Sequence, residues 1–205
     1  AAPACSVEAV AALRSDSVIN SFDGKAMEGL WYEHAYIDPA QVGASCQTLN
    51  ATFNAASGEV TTDFSVLYGP VPFTIKEFYE PVDPAMKGVF KKHVRIPGGI
   101  PGGSLVQLPT AIVDVQTSQD SSRYETLIMH SCLPLAQELV VATRSPQSDS
   151  AALQALLKTA HERGVAFEDS SVKTVDRSTC QADSTAKKAP AAVRPLLQKL
   201  SQIIV

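Results

Sequence analysis

Gly29-Leu30-Trp31-Tyr32 opens an apolar strand near the start of the chain, and Glu138-Leu139-Val140-Val141-Ala142-Thr143-Arg144-Ser145-Pro146 ends a second one far downstream. The two read as opposite ends of one closed β-barrel. First and last strands of such a barrel are neighbours, so the Trp31 indole and the Arg144 guanidinium can stack at one end, where a cation–π contact also plugs the floor.

Between these ends the chain runs in short β-branched and aromatic segments separated by turn residues. Strands are predicted over 29–37, 46–54, 59–68, 73–80, 88–96, 110–117, 123–132 and 137–145, eight in all. Ala55-Ala56-Ser57-Gly58 is a tight-turn signal, because glycine accepts the positive φ such turns require. Gly69-Pro70-Val71-Pro72 and Pro81-Val82-Asp83-Pro84 are expected to interrupt pairing, since proline cannot donate to a ladder. Pro97-Gly98-Gly99-Ile100-Pro101-Gly102-Gly103-Ser104 is the longest break. Within 59–68, Val60, Thr62, Phe64, Val66 and Tyr68 share one face while Thr61, Asp63 and Ser65 share the other. Consecutive hairpin-connected strands without a long crossover are most simply closed up-and-down, which removes both exposed edges. An eight-stranded barrel has room for one small ligand or for packed side chains.

The chain of 205 residues is one ordinary domain with modest appendages, and 45% apolar residues is ample for a core. Its net charge of −4, with acids and bases interspersed, gives no nucleic-acid footprint. No run reaches the roughly 18 apolar residues of a membrane-spanning helix. Ala1-Ala2-Pro3-Ala4-Cys5 reads as what a signal or transit peptidase leaves behind, so an exported chain is expected. Cys5, Cys46, Cys132 and Cys180 form no C-x-x-C pair and lie near no histidine cluster, so zinc or dithiol redox chemistry is not predicted. Four cysteines allow three connectivities, and free thiols are the other reading. His34, His93, His130 and His161 are scattered without ligand spacing, and no metal is assigned.

The flanks differ in character. Val7, Val10, Ala11 and Leu13 share a face of a short helix over 7–14, followed by the polar Ser15-Asp16-Ser17. After Pro146, Ser148 or Asp149 can cap a helix carrying Leu153, Leu156, Leu157 and Ala160, and Gly164 ends it. A short run over 172–177 leads to Cys180. Residues 181–190 read as a polar linker, after which Pro195 can begin a helix with Leu196, Leu197, Leu200, Ile203 and Ile204 on one stripe. So short a helix needs burial, against its own barrel or against a protein or membrane surface. The chain thus divides into an N-terminal segment (1–28), a barrel with its following helix and short strand (29–180), and a linker with amphipathic helix (181–205).

Gly29-Leu30-Trp31-Tyr32-Glu33 on the first strand, Arg144 closing the eighth, the helix that follows and four cysteines in this order together resemble the lipocalin family, most nearly its apolipoprotein D-like branch. The order of a Thr143-Arg144-Ser145 strand end, a helix and a terminal cysteine is also similar to the lipocalin domain of violaxanthin de-epoxidase-type proteins. The chain lacks the separate cysteine-rich domain of that enzyme. The resemblance implies pairings Cys5–Cys132 and Cys46–Cys180, a structural role for Gly29, Trp31 and Arg144, and a cavity for a small apolar guest. Asn50-Ala51-Thr52 is an N-glycosylation sequon where the branch also has one, so Asn50 is either glycosylated or a plain solvent-facing residue.

Alternation from Trp31 places Glu33, Ala35 and Ile37 inward on the first strand, Leu49, Ala51 and Phe53 on the second, Phe64, Val66 and Tyr68 on the third, and Phe90 and Val94 on the fifth. These are the expected ligand contacts. Glu33 reads either as a polar handle for a ligand or as a paired or solvated carboxylate, and the phenylalanines either touch a guest or fill a packed core. With the floor at Trp31, the mouth is expected near 38–44, 69–72, 97–107 and 133–136. The leading function is binding or transport of a lipid, retinoid or pigment, non-covalently, by a secreted glycoprotein with disulfides. A structural or interaction subunit, as in a plastid or thylakoid lumen beside pigment proteins, is the alternative. Third is an enzyme acting on a lipid or carotenoid, against which stands the lack of a Ser-His-Asp, Cys-His or paired-carboxylate constellation. No catalytic residue is assigned.

Overall fold

Alternation with a period of two organises the barrel: on each strand one set of side chains meets across the interior and the other meets solvent or a covering helix. The computed structural model describes residues 5–95, 107–117, 119–120, 122–133 and 136–180. The strands are β1 (Gly29–Ile37), β2 (Ala44–Phe53), β3 (Val60–Tyr68), β4 (Val71–Pro81), β5 (Val89–Arg95), β6 (Gln107–Thr117), β7 (Tyr124–Cys132) and β8 (Gln137–Thr143). Each pairs antiparallel with the next, and β1 pairs with both β2 and β8, so the barrel is closed and up-and-down as predicted.

The proline-bearing break at 69–72 is narrower than predicted. Gly69-Pro70 alone makes the turn, and Pro72 sits within β4 opposite Leu67. Proline is tolerated there because β4 reaches β5 only from Lys76 to Pro81, leaving its earlier half with ladder partners on one side among the described residues.

Outside the barrel, α3 (Ser150–Glu162) starts at Asp149, whose carboxylate accepts from the Ala151 N–H at 3.0 Å, and stops at Gly164 in the left-handed region at φ 94°. Its Leu153, Leu156, Leu157 and Ala160 cover Ala35, Val113, Ile128, Leu139 and Val141 on the outer face of the sheet. The N-terminal segment holds two short helices where one was predicted: α1 (Val7–Ala11) and α2 (Asp16–Ser21). The Ser15-Asp16-Ser17 stretch read as a break is instead an N-cap, with Ser15 Oγ accepting from the Val18 N–H. Val18 is fully buried, and a Cβ on Gly88 would stand 2.6 Å from its Cγ1, so the segment seats itself only where the barrel wall has a glycine. A 3-10 turn over Gly24–Met27 then leads into β1.

Two irregularities shape the mouth. On β1 the pairing with β8 shifts between Glu33 and Ala35, making His34 the extra residue of a bulge and inverting the alternation beyond it. Glu33 remains inward, but Ala35 and Ile37 belong to the outer cluster beneath α3 and do not face the cavity. Their inward placement is therefore corrected; strict alternation had no means of registering a bulge. On β2 the pairing with β3 shifts between Ser45 and Thr48, and Cys46 takes φ 60°.

These bulges part β1 from β2, which pair only from Gly29 to Tyr32 against Ala51 to Thr48. The C-terminal part of the fold fills the opening. A short strand, β9 (Lys173–Thr174), pairs with Ala35 and Tyr36. Beyond it, Arg177 Nη2 donates to the Glu33 carbonyl and to the Gln47 carbonyl at 2.6 Å each, spanning the gap from one strand to the other. The Cys46–Cys180 disulfide fastens this segment to β2, while Cys5–Cys132 fastens the N-terminal segment to the end of β7. Both pairings match those the resemblance implied. Residues 181–205, including the proposed stripe of Leu196, Leu197, Leu200, Ile203 and Ile204, lie outside the described residues.

Replacing Cys46 and Cys180 together by serine removes a cross-link that closes a loop of 134 residues. We expect a loss of about 3–5 kcal/mol in denaturant unfolding, with faster amide exchange at Thr174 and Val175. Unchanged exchange there would contradict the role given to the seam.

Candidate functional site

The floor is built by the pair that first identified the barrel. The Arg144 guanidinium carbon lies 3.7 Å from the centroid of the Trp31 ring. Its nitrogens donate to three backbone carbonyls, those of Tyr124 (2.9 Å), Leu30 (3.0 Å) and Ala26 (3.1 Å). The indole Nε1 donates to the Met27 carbonyl at 2.8 Å. Burial, with Arg123 nearby, pushes Arg144 down to about 10, still cationic at neutral pH.

Above the floor is an apolar chamber lined by Phe22, Met27, Trp31, Leu49, Ala51 and Phe90 among others. Phe22 enters it from the end of α2, stacking 5.8 Å from Tyr124 and edge-on to Phe90 at 6.0 Å. The chamber is nearly full: about 10 Å³ is open to the centre of a water molecule, room for roughly one.

A second chamber, of similar free volume, lies toward the mouth and is lined by Glu33, Asp38, Gln41, Glu77, Lys92 and Glu138, with Phe64 and Val140. Leu49 and Met129 line both chambers and stand between them. The charges here are deeply buried. Lys92 Nζ bridges Glu77 Oε1 (2.9 Å) and Glu138 Oε2 (2.8 Å), with its side chain 5% exposed. The other Glu77 oxygen accepts from Thr62 Oγ1 (3.0 Å) and from the Tyr79 hydroxyl (2.6 Å). Burial pushes Lys92 down, but Glu138, Glu77 and Tyr79 outweigh it and hold the ammonium well above its usual range.

Glu33 is different. It is fully buried, and neither carboxylate oxygen has a hydrogen bond. Burial first, then the charges of Asp38 and Glu77, push it well above the usual carboxylate range against the opposing pull of Gln41 and Lys92. The protonated form is favoured accordingly. Asp38 accepts from the Ala40 N–H at 2.7 Å, yet burial and the Glu138 charge raise it to about 7. The Gln41 side chain accepts from Gln47 Nε2 at 3.2 Å, and Gln47 Oε1 is a further buried acceptor without a donor.

Of the residues predicted to face inward, Glu33, Leu49, Ala51, Phe64 and Phe90 line a chamber. Val66 is in the inner cluster, and Phe53 and Tyr68 pack against its two ends: Phe53 beside Gly24, Tyr68 with its hydroxyl donating to the Ala40 carbonyl. Val94 pairs with Glu77 but lines neither chamber. Asn50 is exposed on β2, opposite Asp63. Sequence reading missed Asp38, Glu77, Lys92 and Glu138. Alternation carried three of them, since Lys92 lies between Phe90 and Val94, Glu77 lies two before Tyr79, and Glu138 lies two before Val140. Among the described residues no group of three or more His, Cys, Asp or Glu is placed to hold a metal ion, and no helix is long and apolar enough to cross a membrane.

No protein-family profile matches the chain, and no curated protein matches it in sequence. Solved structures do. Apocrustacyanin C1 superposes with a TM-score of 0.58 at 11% identity, covering 94% of this chain and 92% of its own. Lobster apocrustacyanin A1 gives 0.55 at 12%, covering 93% and 91%. Insecticyanin from the tobacco hornworm Manduca sexta gives 0.56 at 12%, covering 82% and 86%. At such identity the likeness is one of fold: an eight-stranded barrel with a helix after β8, the lipocalin fold.

Two substitutions test the buried charges. Lys92→Met leaves Glu77 and Glu138 buried together without a counter-ion, and we expect about 3–5 kcal/mol of destabilisation at pH 7. For Asp38 the folded-state value lies above the ordinary 3.8, so its contribution is complete at low pH and is lost as pH climbs through about 7. Asp38→Asn should therefore flatten the decline in stability between about pH 4 and pH 7 in urea titrations. Parallel profiles for the two proteins would contradict the assignment.

Proposed function

We propose that this lipocalin-fold barrel binds a small hydrophobic molecule, a lipid, retinoid or pigment, held non-covalently between its sealed floor and its mouth. The observation that carries the reading is the apolar chamber, parted from a second chamber by Leu49 and Met129. Its proposed contacts are Leu49, Ala51, Phe53, Phe64, Val66, Tyr68 and Phe90, with Glu33 as the polar end. Apolar area removed from water supplies the affinity, at about 25 cal/mol per Å² before ordering costs. A guest must displace side chains, and Met129, unbranched and adaptable, is the natural one to move. The barrel acts as a binder without covalent cofactor or catalytic group.

The order and pairing of the four cysteines support placement in the apolipoprotein D-like branch, and two disulfides support an oxidising compartment, the secretory route in the first instance. Asn50, exposed within its sequon, is the proposed glycan site. The thylakoid lumen belongs to a second reading, a structural subunit with a filled barrel. The small free volume of both chambers favours that reading.

Trp31 is the only tryptophan, and it lines the apolar chamber. Long-chain alcohols, retinol and carotenoids should change its emission and raise the melting temperature if the barrel is a binder. Met129→Ala, which costs about 2–5 kcal/mol of stability, should bind them more tightly by joining the chambers. A panel that moves neither emission nor melting, in either protein, leaves the filled structural barrel as the account.

A further inference from the structure

We propose that the mouth-side chamber is a recognition site for the protonated amine of an aliphatic amphiphile, whose chain occupies the apolar chamber below. The inference deepens the binding function above and rests on it.

Four carboxyl groups, those of Glu33, Asp38, Glu77 and Glu138, line this chamber with a single ammonium, Lys92. Lys92 is committed to Glu77 and Glu138. Thr62 and Tyr79 occupy the remaining Glu77 oxygen, and the Ala40 N–H occupies one oxygen of Asp38. What is left at full burial are oxygens without a hydrogen-bond partner: both of Glu33, and Gln47 Oε1 on β2. A buried polar group without a partner costs about 1–3 kcal/mol, so such a set is expected where a ligand supplies the partner.

An alkylammonium supplies up to three N–H donors and one positive charge. The other charged or titratable groups around Glu33 do not take that place. Arg177 meets its backbone carbonyl rather than its carboxylate, and lies over the Tyr32 ring at 5.1 Å. Tyr36 donates to the Gln41 carbonyl, Tyr68 to the Ala40 carbonyl, and Tyr79 to Glu77. His34 is turned to Thr143 and Ser145.

Charge balance sets the chemistry. In the free protein burial and the Asp38 charge favour the protonated form of Glu33. When an alkylammonium enters, the Glu33 proton passes to solvent and the carboxylate pairs with the incoming charge, so binding releases a proton. A fatty acid meets the opposite situation, its carboxylate facing Glu77, Glu138 and Asp38, and is rejected. A neutral alcohol gains the apolar chamber alone. The Leu49–Met129 partition fits an amphiphile: apolar below, acidic above.

The test titrates dodecylamine, dodecan-1-ol, dodecanoic acid and 2-tridecanone into the full chain, reading Trp31 emission and calorimetric proton release in two buffers. We expect dodecylamine to bind at least about tenfold more tightly than the alcohol and to release a proton. Its affinity should rise about fivefold or more from pH 6 to pH 8, where the amine stays protonated. Glu33→Gln should remove the amine preference over the alcohol and the pH dependence of amine binding. Asp38→Asn, a second variant, should weaken the pH dependence alone.

Alcohol and amine binding equally, an amine preference that survives Glu33→Gln, or a ketone preference growing as pH falls would each overturn the amine site while leaving the hydrophobic-binding function standing. Failure of all four probes to bind overturns both.

Discussion

Closure at β1 is the constraint on which the rest of the molecule depends. That strand must satisfy β8 along one edge and β2 along the other, and the Arg144 guanidinium locks the junction by serving three carbonyls while covering Trp31. With the floor shut, inward side chains such as Trp31, Leu49, Phe64, Phe90 and Leu127 are buried from water. Apolar residues gain from this, whereas every inward charge must find a partner or give up its charge.

The interior divides accordingly. Near the floor the side chains are apolar and aromatic and nearly fill the space. Toward the mouth, where β1 and β2 part, the barrel tolerates charge because strand ends and the 3-10 turn over Pro39–Gln41 bring backbone and amide groups to it. Lys92 between Glu77 and Glu138 is a completed arrangement. Its three groups come from β4, β5 and β8, so it also ties distant staves together across the lumen. Glu33 is the uncompleted one. It stands beside the seam that Arg177, β9 and the Cys46–Cys180 disulfide hold shut.

Much of this was legible in the amino-acid sequence. Turn chemistry and strand-forming runs marked all eight staves, and Trp31 with Arg144 marked the closed end, because those signals are local or belong to one end of the barrel. The helix after β8 was legible from its cap and leucine spacing. Two kinds of feature were not. A bulge such as that at His34 arises from the fit between neighbouring strands, so the phase beyond it, and with it Ala35 and Ile37, could not be followed residue by residue. The ion cluster was hidden for a different reason: polar residues on a strand are read as solvent-facing unless a barrel is assumed to contain charge. Lys92, flanked two residues either way by the apolar Phe90 and Val94, carried the contrary signal.

The central claim is that a buried Glu33, with its protonated form favoured, stands without a partner at the polar end of the interior. The most direct measurement is the side-chain carboxyl ¹³C resonance of Glu33, assigned through its loss in Glu33→Gln, in the free protein at neutral pH. The account predicts the chemical shift of a protonated acid, moving to that of a carboxylate when dodecylamine is added. A carboxylate shift already present in the free protein would contradict it.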